Sequence, residues 1–487
     1  MRLKAEQHNI SDPRKWEERL RLMPAIAFIR RECLDIVGSL DYVFQHDFSD
    51  DDLSIRICRA GYKLIFCGDV FVHHAGASVT GATTKQKIDL LNAGRTAFRK
   101  KYYGLDAWDD INNFELLMLN LVNPEEMRGK TKPKVLGIDV RCGTPILQLK
   151  NKLRLVDIFD TELSAFVQDP KYWLDLKTIC EGKVVVDRIG FLSEHFLPNS
   201  FDYILLGNPL NSYPGSDKIL RDILLLLKSE GQLLIKLRNH FDPQVFLKSA
   251  GKDYPSDNKS VSYSDIDNLN QGLMQHGYVA KDIRLSLQPL DDATKEAVCA
   301  VIKQKCTDDK IDATFRELTA EDYVLRIVNN GNVQPEAMNN KTHELPQQKA
   351  TTRTFDDPSS CGFLHETILP GLTSIIVLIH NQLDQTKKCL KSIRKFTPES
   401  HEIIFVDNAS SDGTRKWLQV QVKENKNYSF VENKEAGGYA ARIDQGITRA
   451  QGEYILLLSQ SVVVGPDWLK GMTACLNTAP DAGIIGP

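Results

Sequence analysis

The sequence predicts an α/β protein with more than one domain, including doubly wound parallel sheets. Short β-branched runs of strand length alternate with segments whose apolar residues recur at helical spacing. This alternation is typical of parallel sheets covered by helices on both faces. At 487 residues the chain is also too long for one ordinary domain.

Composition and charge exclude several classes of protein. Hydrophobic residues make up 42% of the chain and charged residues 26%, as in globular proteins. The net charge of -3 gives no reason to expect a nucleic-acid partner. No apolar run reaches the roughly 18 residues of a transmembrane segment, and the N-terminus lacks the apolar stretch of a signal peptide. The ten cysteines form no CxxC pair. We therefore expect a cytoplasmic protein, with peripheral association at the inner face of the membrane left open.

Two joints divide the chain. Residues 329–371 contain little periodic apolar sequence and many Asn, Gln, Pro, Ser and Thr, which is typical of a linker. A weaker joint near Asn123–Lys134 carries charge and Pro. The predicted domains are therefore residues 1–125, 132–328 and 372–487.

Residues 372–487 give the clearest alternation. Predicted strands are Ser374–Ile379, Glu402–Asp407, Tyr428–Val431 and Tyr454–Leu458, with helices beginning near Leu383, Asp412 and Tyr439. Ligands of doubly wound sheets bind beyond the carboxyl ends of the strands, where loops and helix N-termini present donors to phosphates. His380 and Asp407-Asn408 lie at such ends, and Gly438 precedes a helix. The alternative for the DNASSDG motif is a simple turn with an Asp N-cap.

The ordered set SIIVLIHNQ, TKKCLKSI, IIFVDNASSDGT, GGYAARIDQGI and GEYILLLSQSVVVGPDWL resembles the nucleotide-binding half of the family 2 glycosyltransferases. The resemblance implies a GT-A fold and a nucleotide-diphosphate sugar as donor. It also implies that seven residues bind the donor: His380, Asp407, Asn408, Ser410, Asp412, Gly438 and Asp444.

One position departs from this family. The family usually carries an Asp there that binds a divalent ion, Mn or Mg, whereas this sequence has Ser459-Gln460-Ser461. A hydroxyl is a weak ligand for a hard cation that prefers carboxylate oxygen. We therefore expect Ser461 to be a degenerate metal position and metal dependence to be lost.

The N-terminal segment predicts a strand at Ala25–Arg30, a short helix at Arg31–Val37 and an acidic helix at Asp50–Ala60. Its series AFIRRECLDIVGSLD, FSDDDLSIRICRAGYKL and DVFVHHAGAS resembles the acceptor half of the same family. The resemblance implies Asp50 as the catalytic base, Asp52 as a second candidate and His74 as a candidate metal or diphosphate contact. Crowded carboxylates raise one another's pKa, which suits a base. The alternative is that an acidic helix start only complements the helix dipole.

Each end of the chain thus carries half of a GT-A domain. Either the chain is cut from a longer protein with two complete domains, or its halves dock into one domain across the middle unit. Because domains are normally contiguous, the sequence favours the first.

The middle unit predicts strands at Val135–Asp139, Val184–Asp187, Phe201–Gly207 and Gly231–Lys236, with a helix at Ile219–Leu227. This series resembles the Rossmann-like S-adenosylmethionine-dependent methyltransferases. The resemblance implies Gly143, Asp157 and Asp187 as cofactor contacts. Arg141 would repel the cofactor's sulfonium, and Pro145 removes a donor from the binding loop. We therefore expect a degenerate domain, with S-adenosylmethionine binding as the alternative.

These observations predict a glycosyltransferase that transfers a sugar to a glycan or protein acceptor in surface polysaccharide or glycoprotein synthesis. Two alternatives stay open. In the first, the chain is a non-catalytic scaffold or sugar-nucleotide-binding module. In the second, it is a sugar-modifying methyltransferase.

Overall fold

The computed structural model describes residues 2–22, 25–44, 48–75, 84–239, 241–248, 266–304, 310–331 and 368–487. The chain forms two compact units. Unit 1 combines Met1–Asn112 with Thr352–Pro487, and unit 2 is Asn113–Thr351. Most of the predicted linker, at 332–367, lies outside the described residues.

The first segment of unit 1 alternates short strands and helices. Its strands are β1 (Trp16–Arg19), β2 (Ile26–Arg30), β3 (Lys63–Cys67) and β4 (His73–His74). Its helices are α1 (Arg2–His8), α2 (Arg31–Val37), α3 (Ser49–Arg59) and α4 (Thr84–Lys101). Gly38 ends α2 with a φ of 78° and a ψ of 171°, an extended backbone with positive φ that glycine adopts without strain, in place of the expected left-handed cap.

Unit 2 contains seven strands and nine helices among its described residues. The strands are β5 (Lys134–Ile138), β6 (Glu162–Val167), β7 (Val184–Val186), β8 (Phe201–Leu206), β9 (Leu227–Arg238), β10 (Tyr278–Leu287) and β11 (Ala320–Asn329). The helices are α5 (Leu116–Asn120), α6 (Thr144–Arg154), α7 (Trp173–Ile179), α8 (Leu192–His195), α9 (Ser216–Leu226), α10 (Pro243–Lys248), α11 (Ile266–Gln275), α12 (Asp292–Lys303) and α13 (Ile311–Leu318).

The second segment of unit 1 follows the predicted alternation closely. Its strands are β12 (Leu369–Ile379), β13 (His401–Asn408), β14 (Tyr428–Asn433), β15 (Gly452–Ser459), β16 (Val462–Val463) and β17 (Ala482–Gly486). Its helices are α14 (Leu383–Phe396), α15 (Thr414–Glu424), α16 (Tyr439–Arg449) and α17 (Trp468–Thr478).

Strands from both segments share the eight-stranded sheet of unit 1, in the order β1-β3-β17-β2-β15-β12-β13-β14. Strand β2 pairs antiparallel with β15 and β17, which both belong to the second segment. Strand β17 in turn lies between β2 and β3 of the first segment. Neither segment alone could satisfy the backbone groups of these strands. The expectation that the two halves belong to separate GT-A domains is therefore wrong for this structure, because their strands form one sheet.

Two adjacent arginines at the start of α2 fasten the first segment to the second. Arg31 is 3% exposed and donates to the carbonyl oxygens of Gly452 and Ala450, at 2.6 and 2.8 Å. Arg30 donates to the carbonyl oxygens of Leu476 and Ala482, at 2.7 and 2.8 Å. Two of these carbonyls, of Ala450 and Leu476, are at helix ends, where the last carbonyls lack intrahelical partners, and the other two are at the starts of β15 and β17.

The core beneath the sheet also draws on both segments. Phe28 and Val70 of the first segment and Phe405 and Trp468 of the second belong to one buried apolar cluster. The chain therefore closes a single hydrophobic core from pieces that lie at opposite ends of its sequence.

The sheet of unit 2 has the order β10-β11-β9-β8-β5-β6-β7. Strands β5 to β9 are parallel, and β11 is antiparallel to β9 and β10. The chain starts at the central strand β5, moves outward to β7 and returns to β8, so the topological switch point lies between β5 and β8. Phe201 begins the fourth strand of this unit, as predicted. Strands β6, β10 and β11 were not predicted.

The boundary between the units falls at Asn112–Asn113, ahead of the predicted boundary at residue 125. Helix α5 accounts for the difference, because its residues and the one before it contact residues of unit 2. Glu115 pairs with Lys236 at 2.6 Å, and Lys152 donates to the carbonyl of Leu119 at 2.6 Å. None of the described helices is long and apolar enough to cross a membrane.

A buried carboxylate near the end of α4 should make unit 1 less stable at acid pH. Asp106 is 3% exposed and accepts hydrogen bonds from Arg95 at 2.7 and 2.9 Å. Burial alone would raise the pKa of Asp106, but the bonds from Arg95, from the backbone N–H groups of Asp109 and Trp108, and from Arg99 hold it well below its usual value. A lowered folded-state pKa stabilises the fold fully above the unfolded value of about 3.9 and loses that effect as pH falls toward the folded value.

We expect Asp106→Asn to destabilise unit 1 at neutral pH. The gap in free energy of unfolding between the variant and the wild type should narrow as pH falls below about 4. Urea unfolding at several pH values measures this gap. Asp109→Asn is the matched control. Asp109 pairs with the same Arg95, but its side chain is 64% exposed, so its loss should change the free energy of unfolding little. A gap that stays constant with pH would contradict the expectation.

Candidate functional site

The carboxyl ends of the parallel strands in unit 1 meet at one edge of its sheet. Strand β12 pairs in parallel with β13 and β15, and β13 pairs in parallel with β14. His380 follows β12, Asp407 and Asn408 end β13, and Ser459 ends β15. The structure therefore brings together at one edge residues that the sequence placed at separate strand ends.

Three loops at this edge are hydrogen bonded to one another. His380 Nδ1 donates to the carbonyl oxygen of Asn408 at 2.7 Å. The N–H of Asn381 donates to Ser410 Oγ at 2.8 Å. Gln460 accepts from the N–H of His380 at 2.8 Å and donates to the carbonyls of His380 and Asn381. The loops after β12, β13 and β15 therefore form one rigid surface.

The same loops hold strained backbone. Asn381, Gln382 and Ala409 have left-handed φ values of 52°, 58° and 60°. The conformation costs an alanine about 1 kcal/mol, and such residues cluster at functional sites. The bonds between the loops compensate for this cost.

Asp407, predicted near the nucleobase, is completely buried. Its carboxylate accepts from the N–H of Ser410 at 3.2 Å and from Arg415 Nε at 3.2 Å. Arg415 also donates to the carbonyl of Asn433, and its side chain is 29% exposed. A ligand at this edge would therefore meet Arg415 before it met Asp407.

Asn408 braces the glycine pair that precedes α16. It donates to the carbonyl of Gly437 at 3.1 Å and accepts from the Gly437 N–H at 2.8 Å. A Cβ on Gly437 would lie 2.5 Å from the guanidinium of Arg442, so a side chain there would displace that guanidinium. A Cβ on Gly438 would meet no atom within 4 Å. The predicted contact Gly438 thus faces open space at a helix N-terminus, where anions bind.

Two other predicted donor contacts use their side chains within the protein. Asp412 accepts from the N–H groups of Thr414 and Leu383, both at 3.2 Å, while Gly413 is the N-cap of α15 in place of the Asp N-cap of the structural alternative. Asp444 accepts from the hydroxyl of Tyr42, and this bond raises the pKa of Tyr42 to about 12. Asp444 therefore links the two segments of unit 1.

The residues at the predicted metal position do not suit a divalent cation. The hydroxyls of Ser459 and Ser461 lie 2.8 Å apart and bond to each other. Within the described ranges, no three His, Cys, Asp or Glu side chains are grouped to hold a metal ion. A pair of neutral hydroxyls supplies neither the charge nor the number of oxygen ligands that Mg²⁺ or Mn²⁺ takes.

His74 lies beside this position. Strand β4 pairs antiparallel with β16 so that His74 is opposite Val462, and the N–H of Ala75 donates to the carbonyl of Ser461 at 3.1 Å. His74 itself is exposed. The two residues predicted around the metal, which are separated by almost the whole chain, are therefore neighbours.

The three carboxylates at the start of α3 have different surroundings. Asp51 forms an ion pair with Arg21. Asp52 is 0% exposed and accepts from Arg56 Nε at 2.9 Å, from the hydroxyl of Tyr102 at 2.6 Å and from Lys101.

The structure thus contradicts the catalytic prediction for Asp52, because two cations and a hydroxyl surround this carboxylate inside the fold. Successive helical residues are rotated by about 100°, so residues two apart point in nearly opposite directions. Asp50 accordingly faces a cleft while Asp52 faces the core.

The cleft has a volume of about 230 Å³ and is formed by both segments. Its polar lining residues are Asp50, His74, Tyr439 and Ser459. Its apolar lining residues are Leu22, Ala25, Ala27, Leu53, Leu378, Ile443, Leu457, Leu458 and Ile484. Burial and the nearby charge of Asp50 raise the pKa of Tyr439, so its hydroxyl stays protonated. A carboxylate, an imidazole and two hydroxyls thus face one partly apolar space.

In unit 2 the predicted cofactor contacts do not converge. Gly143 and Asp187 follow β5 and β7 at the carboxyl edge, but Asp187 is bonded to His195 Nε2 at 2.7 Å, which together with the Arg188 N–H lowers the pKa of Asp187. Asp157 lies in the turn between α6 and β6, with a left-handed φ of 66°. Because α6 returns the chain to the amino edge of the sheet, Asp157 is at the wrong edge, and its prediction is wrong.

Sequence reasoning missed three residues at these edges. Arg415 and Arg442 lie within helices α15 and α16, where arginine is ordinary and gives no signal. Asp139 directly follows a strand, and this position could have identified it by the rule that found Asp407.

The comparisons with known proteins agree with the geometry of unit 1. Residues 374–487 match the family model of Glycosyl transferase family 2. A poly-beta-1,6-N-acetyl-D-glucosamine synthase of Staphylococcus aureus (strain MSSA476) is 31% identical to this chain over 117 residues. That stretch covers 24% of this chain and 28% of the synthase. Glycosyltransferase AglE of Haloferax volcanii is 30% identical over 112 residues, covering 22% of this chain and 36% of AglE.

This chain thus spans about a third or less of the curated relatives it matches. The family 2 segment contains β12 to β17 almost entirely, and so includes every predicted nucleotide-sugar residue and Ser461. The first segment, with Asp50 and His74, lies outside the matched residues.

Among solved structures, a SAM-dependent methyltransferase from Archaeoglobus fulgidus aligns with a TM-score of 0.28 and 16% identity, over 48% of this chain and 98% of that one. The plantazolicin methyltransferase BamL aligns with a TM-score of 0.28 and 12% identity, over 49% of this chain and 91% of that one. TM-scores this low do not by themselves establish a shared fold.

The predicted fold class is confirmed. Unit 1 contains the segment matched by the family 2 model, which contributes to a mixed sheet flanked by helices, and unit 2 has a doubly wound, Rossmann-like strand order.

Proposed function

We propose that unit 1 is a glycosyltransferase domain that transfers a sugar from a nucleotide-diphosphate donor to a hydroxyl of a glycan or protein acceptor. One observation carries this proposal. The cleft of unit 1 joins Asp50 and His74 of the first segment to Ser459 and Tyr439 of the second. A base candidate thus faces the edge of the sheet where a nucleotide sugar would bind.

In the proposed reaction Asp50 acts as general base. The acceptor oxygen attacks the anomeric carbon of the donor, its proton passes to the Asp50 carboxylate, and the bond from that carbon to the diphosphate oxygen breaks. The nucleoside diphosphate leaves with the electron pair of that bond. Positioned proton transfer of this kind contributes about 10²- to 10⁴-fold to a rate.

The leaving diphosphate would be stabilised by protein groups in place of a metal ion. The N-terminus of α16 at Gly438 presents backbone donors, and Arg442 lies in the first turn of that helix. His74 faces the cleft beside Ser461. Oriented donors and cations of this kind stabilise developing negative charge. The name of the poly-beta-1,6-N-acetyl-D-glucosamine synthase suggests N-acetylglucosamine as the sugar and a polysaccharide as the product.

A second candidate function is a sugar-nucleotide-binding module without catalysis. The bonded hydroxyls of Ser459 and Ser461, where the family carries a metal-binding Asp, favour this alternative. Both candidates predict nucleotide binding, and only the first predicts turnover of the donor.

We expect the full chain to bind uridine or thymidine diphosphate with little gain from Mn²⁺, because the metal position lacks a carboxylate. Calorimetric titration with and without Mn²⁺ measures the gain. A gain of about tenfold or more, worth about 1.4 kcal/mol, would overturn the claim of metal independence. Release of uridine diphosphate from UDP-N-acetylglucosamine or UDP-glucose, with water as acceptor, separates the two functions.

Ser461→Asp should create metal dependence, because a carboxylate replaces a hydroxyl beside the diphosphate. Ser461→Asn is the matched control, since it has the same size without the charge. An Asp variant that responds to Mn²⁺ no more than the Asn variant would show that the position does not face the diphosphate.

A further inference from the structure

The carboxyl edge of the sheet in unit 2 is the place where a doubly wound fold binds a ligand. Asp139 follows the central strand β5 at this edge, and both of its carboxylate oxygens have partners. One accepts from the N–H of Gln168 at 3.0 Å. The other accepts from Gln168 Nε2 at 2.9 Å and from the hydroxyl of Tyr213 at 2.8 Å.

The hydrogen bonds continue along the edge. Gln168, which follows β6, also accepts from the N–H of Ile189 beyond β7, at 3.3 Å. Tyr213 belongs to the loop after β8 and is only 6% exposed. Tyr213, Asp139 and Gln168 thus connect four neighbouring strand ends in their spatial order β8-β5-β6-β7. We name these three residues the edge latch.

The hydroxyl of Tyr213 is held in its donating form. Burial and the neighbouring Asp139 charge raise the pKa of Tyr213 far above its ordinary value. A charge-assisted hydrogen bond from a buried donor is among the stronger kinds. The Tyr213 hydroxyl therefore keeps its proton, and with it its role as a donor, in the neutral range.

Two glycines of this edge, Gly143 and Gly207, have no free space beside them. A Cβ on Gly143 would lie 2.3 Å from the side chain of Ile179. A Cβ on Gly207 would lie 2.3 Å from the carbonyl oxygen of Asp139. The space beside each glycine is thus filled by the chain itself. Cys142, between β5 and α6, is completely buried.

The backbone of the loop between β5 and α6 is also strained. Asp139, Arg141 and Gly143 all have left-handed φ values, of 50°, 55° and 101°. Such backbone is stable only when its surroundings determine it, and the latch supplies bonds to the first of these residues.

From these contacts we propose that the edge latch closes the ligand edge of unit 2, which therefore takes no S-adenosylmethionine and serves as a rigid structural domain. The residues present do not fit the cofactor, because Asp139, Gln168 and Tyr213 are hydrogen bonded to one another and the space beside Gly143 and Gly207 is filled. This proposal does not depend on the activity of unit 1.

The first experiment is calorimetric titration of the full chain with S-adenosylhomocysteine, the tighter-binding product form expected of a methyltransferase site. We expect no binding at concentrations up to about 1 mM. Binding with a Kd below about 100 μM would overturn the proposal.

The second experiment tests the latch by amide hydrogen exchange. Tyr213→Phe should speed exchange at Gln168 and Ile189 by roughly fivefold or more, because Asp139 loses a buried donor. Tyr203→Phe is the matched control. Tyr203 of β8 is equally buried, but its hydroxyl has no hydrogen-bond partner among the described residues. If the two variants exchange alike, Tyr213 does not hold the edge and the latch is refuted.

Discussion

Replacing Asp50 by Asn is expected to lower the rate of sugar transfer by about 10²- to 10⁴-fold, the contribution of a general base. The side chain of Asn has nearly the same shape but cannot accept the proton of the acceptor hydroxyl. Asp50 lines the cleft with Ser459, so its loss should act on chemistry more than on folding. The measurement is the rate of nucleoside diphosphate release with the donor that the hydrolysis assay identifies.

Asp51→Asn provides the matched control on the same helix turn. Asp51 pairs with Arg21, is 2% exposed and does not line the cleft. We expect this variant to lose some stability but to keep its rate per folded molecule within about twofold. Uridine diphosphate affinity should be unchanged in Asp50→Asn. If Asp50→Asn keeps more than about a tenth of the wild-type rate, Asp50 is not the base.

Replacing Arg31 by Met is expected to destabilise unit 1 by about 3 kcal/mol, a large effect for one side chain. The guanidinium of Arg31 is buried, and burial lowers its pKa. Its two donors satisfy the carbonyls of Ala450 and Gly452, which Met would leave without a partner. Each unsatisfied buried carbonyl costs about 1–3 kcal/mol.

Tryptophan fluorescence during urea unfolding is a suitable measurement, since four of the five tryptophans belong to unit 1. Arg30→Met is the control. Arg30 also donates to backbone carbonyls of the second segment, but it is only partly buried. Water can therefore replace some of its hydrogen bonds to these carbonyls. Equal effects for the two variants, or a loss below about 1 kcal/mol for Arg31→Met, would contradict the account of how the segments are joined.

The sequence by itself determined most strands and helices of residues 372–487, four of the seven described strands of unit 2, and the sheet edges at which ligands would bind. Strands such as β13 and helices such as α14 follow from apolar periodicity, which is a local property. The positions of His380, Asp407 and Ser461 at strand ends follow from the same alternation, because parallel strands present their carboxyl ends at one edge. The absence of a carboxylate at the predicted metal position is likewise evident from the sequence alone.

Only the tertiary structure decided which of these residues share a site. Asp50 and Asp52 are nearly identical in the sequence, and the helix turns one to the cleft and the other to a buried group of cations. Asp157 resembles a ligand in the sequence and lies at the wrong edge because α6 reverses the chain. The insertion of β2 between β15 and β17 depends on contacts across more than 400 residues. Local periodicity holds no information about such pairings, because they are fixed by which backbone and apolar groups remain unsatisfied after each segment has folded.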